Sequence, residues 1–207
     1  MSTKRNRRAR GAALVLVLAL FASGCSSDDE GDDPTEKGRA PGLDEPRVAQ
    51  VPLVATVGKV TGKLPPKRRT QAVTTVGRTV DTWFEAAWVG GDFPRRSMKG
   101  SWPGFTRDLA AQARHDRTLT SNAQLAGRID EVTVVRRTVK VDLLGASKRA
   151  VGATARFRLV FDTDGDARRR VTVTGRLTLS PVKGTWRIFE YDVARSARAV
   201  PASRKDN

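Results

Sequence analysis

The chain has 207 residues, 38 Lys and Arg against 22 Asp and Glu, and a formal net charge of +16. One cysteine excludes an intrachain disulfide framework. One histidine means that a Ser/His/Asp triad or a histidine metal site would have to run through His115.

The first ten residues carry Lys4, Arg5, Arg7, Arg8 and Arg10 and no acid, and an apolar and small-residue run follows from Gly11 to Ala22. That run is too short for a spanning helix, which needs about 20 such residues. It ends in Ala22-Ser23-Gly24-Cys25. A basic start, a short apolar stretch and small residues at a cleavage point make a secretory signal peptide. The segment resembles the bacterial lipobox, with Ala22 where Leu is usual. The resemblance implies diacylglycerol on Cys25 by thioether, fatty acylation of the palmitate type, and cleavage before it. The expected organisation is a signal peptide over 1–24, a lipidated Cys25 with an acidic disordered tether over 25–46, a single domain over 47–200 and a disordered tail over 201–207.

The tether reading rests on charge. Residues 26–46 hold eight acids against Lys37 and Arg39, and one large apolar residue, Leu43. Such a stretch cannot offset its ordering entropy by burial. Residues 47–207 hold 31 Lys and Arg against 14 Asp and Glu, a net of +17. The Arg, Ala, Val and Thr richness suggests a high-GC, actinobacterial genome.

Within the domain, 51–60 reads as extended, interrupted by Pro52 and Gly58. From Lys67 to Val89 the residues Val73, Val76, Val80, Trp83, Phe84, Ala87 and Trp88 fill an arc of about 140° on a helix. Gly90-Gly91 ends it. Thr106 is placed to cap a second helix over Arg107–Arg117, with Asp108 favourable in its first turn. Four strands follow, at 131–144, 150–161, 170–179 and 185–195, each alternating apolar with polar residues. Alternation breaks at Ile188-Phe189, which suggests a bulge. The turns fall at Gly145 to Lys148, Asp164-Gly165 and Lys183-Gly184, so the strands should form an antiparallel meander. The fold class is α+β: N-terminal helices packed on a curved antiparallel sheet of four or more strands.

The helix with Trp83-Phe84 and Trp88, the shorter helix, and the meander ending in Gly184-Thr185-Trp186-Arg187-Ile188 resemble the nuclear-transport-factor-2-like cone fold over about residues 66–195. They are also similar to uncharacterised actinobacterial envelope proteins of that superfamily. The resemblance implies a curved sheet wrapped on the first helix around an apolar pocket. Members include isomerases, dehydratases, polyketide cyclases and non-enzymatic modules, so fold leaves function open. The pocket-lining candidates are Trp83, Phe84, Trp88, Phe157 and Tyr191.

Asp81 lies at the edge of the apolar arc. A carboxylate at an apolar rim can act as a general base, and Tyr191 is its candidate partner. The alternative is a boundary carboxylate paired with Arg78 one turn earlier. Nothing converges on His115, which reads as a surface residue. Asp162-Thr-Asp164-Gly-Asp166 mimics the start of a calcium loop, but Ala167 and Val173 stand where a calcium loop needs Gly and a bidentate Glu. The Asp-Gly step reads instead as a hairpin turn. No metal or other cofactor is implied. Lys67-Arg68-Arg69, Arg95-Arg96, Arg136-Arg137 and Arg168-Arg170 form basic clusters with no stacking motif for nucleic acid. Anionic lipid or wall polymer would be their partners outside the cell.

The expectation is therefore an extracytoplasmic lipoprotein on the cell membrane, a non-enzymatic binding or assembly module taking an envelope protein or apolar ligand. The alternatives are an isomerase- or dehydratase-type enzyme acting on a small apolar substrate, and a polyanion-binding surface.

Overall fold

The computed structural model describes residues 51–200; the expected signal peptide, Cys25, the expected acidic tether and residues 201–207 lie outside the described residues. Residues Arg47–Asn207 group as one compact unit. The elements run β1 (Val54–Thr61), α1 (Pro66–Phe84), a π-helical turn (Glu85–Val89), α2 (Arg107–His115), α3 (Arg117–Thr120), β2 (Glu131–Ala146), β3 (Arg149–Asp164), β4 (Arg169–Val182) and β5 (Thr185–Ala199). The fold is α+β, with one open five-stranded sheet in the order β1-β2-β3-β4-β5.

Strands β2 to β5 form an antiparallel meander. Ser147 and Lys148 turn β2 into β3 at φ 48° and 60°, and Lys183 and Gly184 turn β4 into β5 at φ 49° and 81°. Two successive positive φ values are the mark of a type I′ turn, whose twist matches the flanking strands. At the β3–β4 turn Gly165 has φ 101°, and a side chain there would also meet the Asp130 backbone nitrogen at 2.9 Å.

The sheet is mixed, not wholly antiparallel as expected. β1 pairs parallel to β2, with Val54 opposite Thr138 and Val57 opposite Val141. A helical crossover lies between them, and parallel neighbours require such a connection.

Three residues interrupt the antiparallel ladders. Val135 is extra between the Val134–Phe161 and Arg136–Val160 pairs, and Val151 is extra between Gly145–Ala150 and Leu144–Gly152. Phe189 is extra between Thr178–Glu190 and Leu179–Ile188, at the place where alternation breaks in the sequence. Each bulge shifts by one residue which side chains face inward.

Helix α1 starts with Pro66 at its first position, where a missing N–H costs nothing. Its buried face carries Val73, Val76, Gly77, Val80, Trp83 and Phe84. Thr75, Thr79 and Thr82 return their hydroxyls to carbonyls one turn back, at 2.8, 3.1 and 2.8 Å. The helix continues to Val89 as expected in extent, but its last turn widens to π geometry, with Gly90 N–H donating to Glu85 O at 2.9 Å. The carbonyls of that turn are held from outside. Arg95 donates to Ala86 O at 2.9 Å and Gly90 O at 3.1 Å, and Asn122 donates its backbone N–H to Ala87 O and its side-chain amide to Trp88 O.

The aromatics expected around a pocket fill the space between helix and sheet instead. Trp83, Phe84 and Trp88 have no exposed surface. The Trp83 ring lies 5.5 Å from Phe84, 6.3 Å from Trp88 and 5.4 Å from Phe157, and Trp88 lies 6.3 Å from Phe161. Edge-to-face and tilted contacts of this kind add to the area that the rings bury. Thr120 ties the loop side of this core together: Trp102 Nε1 donates to its hydroxyl at 3.0 Å, that hydroxyl donates to Ala113 O at 2.7 Å, and its carbonyl accepts Trp83 Nε1 at 3.3 Å.

The expected cap on α2 differs in detail. Thr106 precedes the helix but makes no side-chain cap. Its backbone N–H donates to Ile188 O at 2.8 Å, and Ile188 N–H donates to Gly104 O at 2.9 Å. The helix is thus positioned by a short parallel pairing with β5.

Candidate functional site

Asp81 and Glu85 stand four residues apart on the side of α1 that faces β1 and β2. A side chain at position 77 would meet Ala55 Cβ at 3.0 Å, so glycine there lets β1 approach the helix closely. The helix and strand leave an open groove of about 720 Å³. Val51, Pro52, Leu53 and Ala55 form its apolar wall, and Arg78, Asp81, Glu85 and Arg137 its charged one.

Arg137 reaches this groove because of the bulge at Val135. Val132 and Val134 face inward before it; Arg137, Val139, Val141 and Leu143 face inward after it. The Arg137 side chain is 4% exposed, with Nη1 3.0 Å from Asp81 Oδ1 and hydrogen-bonded to Glu85 Oε1. Burial pulls its pKa down, but the hydrogen bonds and charges of Glu85 and Asp81 outweigh burial and hold it above the ordinary arginine value. The guanidinium is therefore a fixed positive charge clamped by two carboxylates, each about one-third exposed. Its Nε is buried with no hydrogen-bond partner among the described residues, one donor not used by the clamp. Because both carboxylates are partly open to water and either one still pairs the guanidinium, losing one of them costs less than the roughly 3–5 kcal/mol typical of breaking a fully buried pair. Asp81 pairs with Arg137 on β2 and not with Arg78 on its own helix.

Tyr191 lies elsewhere. It projects from β5, three strands from β2, and donates its hydroxyl to Asp116 Oδ2 at 2.6 Å, where α2 passes into α3. Its ring packs 6.1 Å from Phe105. Burial, then the hydrogen bond to Asp116 and the charge of that carboxylate, raise its pKa well above the usual phenol value. Asp81 and Tyr191, paired as candidates by sequence, belong to different parts of the molecule.

The other candidates fall as follows. His115 is exposed at the end of α2. Asp162 receives two hydrogen bonds from Arg170, at 2.7 and 2.6 Å, and Asp164 pairs with Arg168 at 3.0 Å. Among the described residues, no group of three or more His, Cys, Asp or Glu is placed to hold a metal ion. Of the basic clusters, Arg137 is buried, Arg95 caps the π turn, and Arg168 and Arg170 are in ion pairs. Lys67, Arg68 and Arg69 remain exposed at the start of α1.

Glu85 was not singled out from the sequence, and Arg137 was read there only as part of a basic surface cluster. The signal for Arg137 was present: inward valines at even positions 132 and 134, then at odd positions 139 and 141, require one inserted residue between them. That insertion turns position 137 inward. No family model matches the chain, and no curated protein or solved structure is significantly similar to it.

Proposed function

We propose that the chain is an extracytoplasmic lipoprotein of the cell membrane, anchored by lipid on Cys25, whose domain is a non-enzymatic binding module of the cone-fold, nuclear-transport-factor-2-like type. The observation that carries the binding reading is the separation of Asp81 from Tyr191, each already engaged by a different partner. A pocket enzyme of this type needs its acid and base to converge on one substrate. The groove between β1 and α1 offers instead an apolar wall beside the partly exposed carboxylates of Asp81 and Glu85, which suits an apolar ligand or chain segment carrying a hydrogen-bond donor. A long helix before a bulged meander supports the cone reading, since bulges bend the strands that carry them. The anchoring reading rests on the basic start, the apolar run and the small residues before Cys25. Among the described residues, no helix is long and apolar enough to cross a membrane.

The test is Cys25→Ala in a bacterial host, read by membrane fractionation and by the intact mass of the processed protein. The parent should carry the mass of a diacylglycerol and stay with membranes through a high-salt wash. The variant should lack that mass and leave the membrane or remain unprocessed. A mature variant that still resists the wash would sink lipid anchoring.

A further inference from the structure

One end of the domain is basic, poor in carboxylates and dotted with exposed aliphatic residues. The C-terminal ends of β1, β2 and β4 and the N-terminal ends of β3, β5 and α1 meet there, as the strand registers require. Contacts confirm the convergence. A groove of about 490 Å³ at this pole is lined by Arg68, Gln71 and Thr75 of α1, Arg149 and Val151 of β3, and Gly184 and Trp186 of the β4–β5 hairpin. Gly145 of β2 comes close to Lys63 and Leu64 just after β1.

Lys63, Lys67, Arg68, Lys148, Arg149 and Lys183 are all exposed at this pole. None is in an ion pair among the described residues. The segments that build it, 60–80, 143–161 and 177–189, contain no Asp or Glu, and of the carboxylates that border them, Asp142 and Glu190 are engaged by Arg156 and Thr178. The charge is therefore not the diffuse solubility coat that an arginine-rich composition would spread evenly. On the outer face of the sheet, by contrast, cations are interleaved with acids: Arg156 with Asp142, Arg170 with Asp162, Arg176 with Asp192.

Two further features distinguish the pole. The non-glycine residues with positive φ among those described are Ser147, Lys148 and Lys183, all in its two hairpin tips. Type I′ turns favour Asn and Gly at such positions, so lysine is held there against local preference. Beside the tips, Leu144, Val151 and Val182 are 50%, 41% and 47% exposed.

We infer that this pole docks the domain on an anionic lipid bilayer, with lysine tips among the headgroups and the flanking aliphatic side chains in the boundary below them. A soluble polyanion would reward the cations but not the aliphatic residues; a bilayer rewards both. The inference takes its setting from the membrane location proposed above, but the contact itself does not involve Cys25.

The experiment uses residues 47–207, the compact unit that contains the whole described core and starts after the lipid site. Sedimentation with vesicles of about 30% phosphatidylglycerol in phosphatidylcholine is compared with vesicles of phosphatidylcholine alone. The parent should bind the anionic vesicles and not the neutral ones. Lys148→Asn with Lys183→Asn, which suits both turns, combined with Arg149→Gln, should weaken binding at least tenfold, because each cation near an anionic surface contributes appreciably. Arg158→Gln with Arg198→Gln on the outer face should change it less than twofold. Leu144→Ser with Val182→Ser should weaken vesicle binding while leaving retention on an anionic polymer resin unchanged. Equal loss from the outer-face variant, no dependence on the aliphatic pair, or no binding by the parent would each overturn the proposal. None of these results bears on lipidation of Cys25, which its own variant tests in cells.

Discussion

Tyr191 is the only tyrosine in the chain, so the ultraviolet signal of phenolate formation reports one side chain. Its pKa is raised in the fold by burial first and by Asp116 second, from an ordinary value of 10.0. A folded pKa above the unfolded one means the native state holds the proton more tightly. The stabilisation is therefore fully present below pH 10 and is lost as pH rises through the folded value. At about pH 11 a denatured chain is mostly phenolate, whereas the native domain should show little. Asp116→Asn should move the native titration down, since it removes the carboxylate charge from the acceptor. A native titration at the ordinary phenol value would mean that Tyr191 and Asp116 do not meet. This pair was only half legible. Tyr191 stood out as the lone tyrosine on an inward strand position, but its partner lies 75 residues away in a loop between two short helices. No local pattern joins them. Asp81 was similar: its place at the edge of the apolar arc was readable, and its distant partner on β2 was not.

At the scale of elements, alternation located the four long strands and the helical arc located α1, because those periods are direct consequences of burying one face. The bulge at Phe189 was legible for the same reason, as two adjacent apolar residues cannot both face inward on a regular strand. The bulge at Val135 was equally written in the change of parity along β2, but polar Arg136, Arg137 and Thr138 hide it. The parallel pairing of β1 was not legible, since a short strand interrupted by Gly58 gives no sign of which neighbour it joins or in which direction. Val135 itself is 43% exposed, so its side chain matters little. Val135→Ala should lie within about 1 kcal/mol of the parent. Deleting Val135 is a different change. It forces either Arg137, Val139, Val141 and Leu143 out of the core, which also breaks the Arg137 clamp on Asp81 and Glu85, or Val132 and Val134 out of register. The deletion should cost at least about 4 kcal/mol in urea unfolding, from the burial that either set of inward side chains loses. A deletion variant as stable as the alanine variant would show that the bulge does not set the phase of β2.

For the molecule as a whole, the balance of charge has a thermodynamic consequence. Residues 47–207 carry a net charge of +17, and such an excess destabilises a compact state by self-repulsion. The basic pole concentrates that effect. Lys67, Arg68 and Arg69 crowd the first turn of α1, which has no acid, against the positive end of the helix dipole. Lys148 and Lys183 sit at positive φ in the two hairpin tips. Each choice is locally unfavourable, and local rules broken together at one end of a fold are expected where function is at stake. Salt should reveal the strain. Raising ionic strength from about 0.01 to 0.15 M shortens the Debye length from about 30 to 8 Å, enough to screen cations on neighbouring hairpins from one another. The thermal midpoint of the 47–207 domain should therefore rise with sodium chloride over this range. The Lys148→Asn and Lys183→Asn variant should start higher at low salt, by a few degrees, and gain less from added salt. The same substitutions that weaken vesicle binding should thus stabilise the free domain, a trade-off between docking and folding. A midpoint indifferent to salt, or a tip variant less stable than the parent, would mean that the lysines are not held at an energetic cost and that the pole is an ordinary solvated surface.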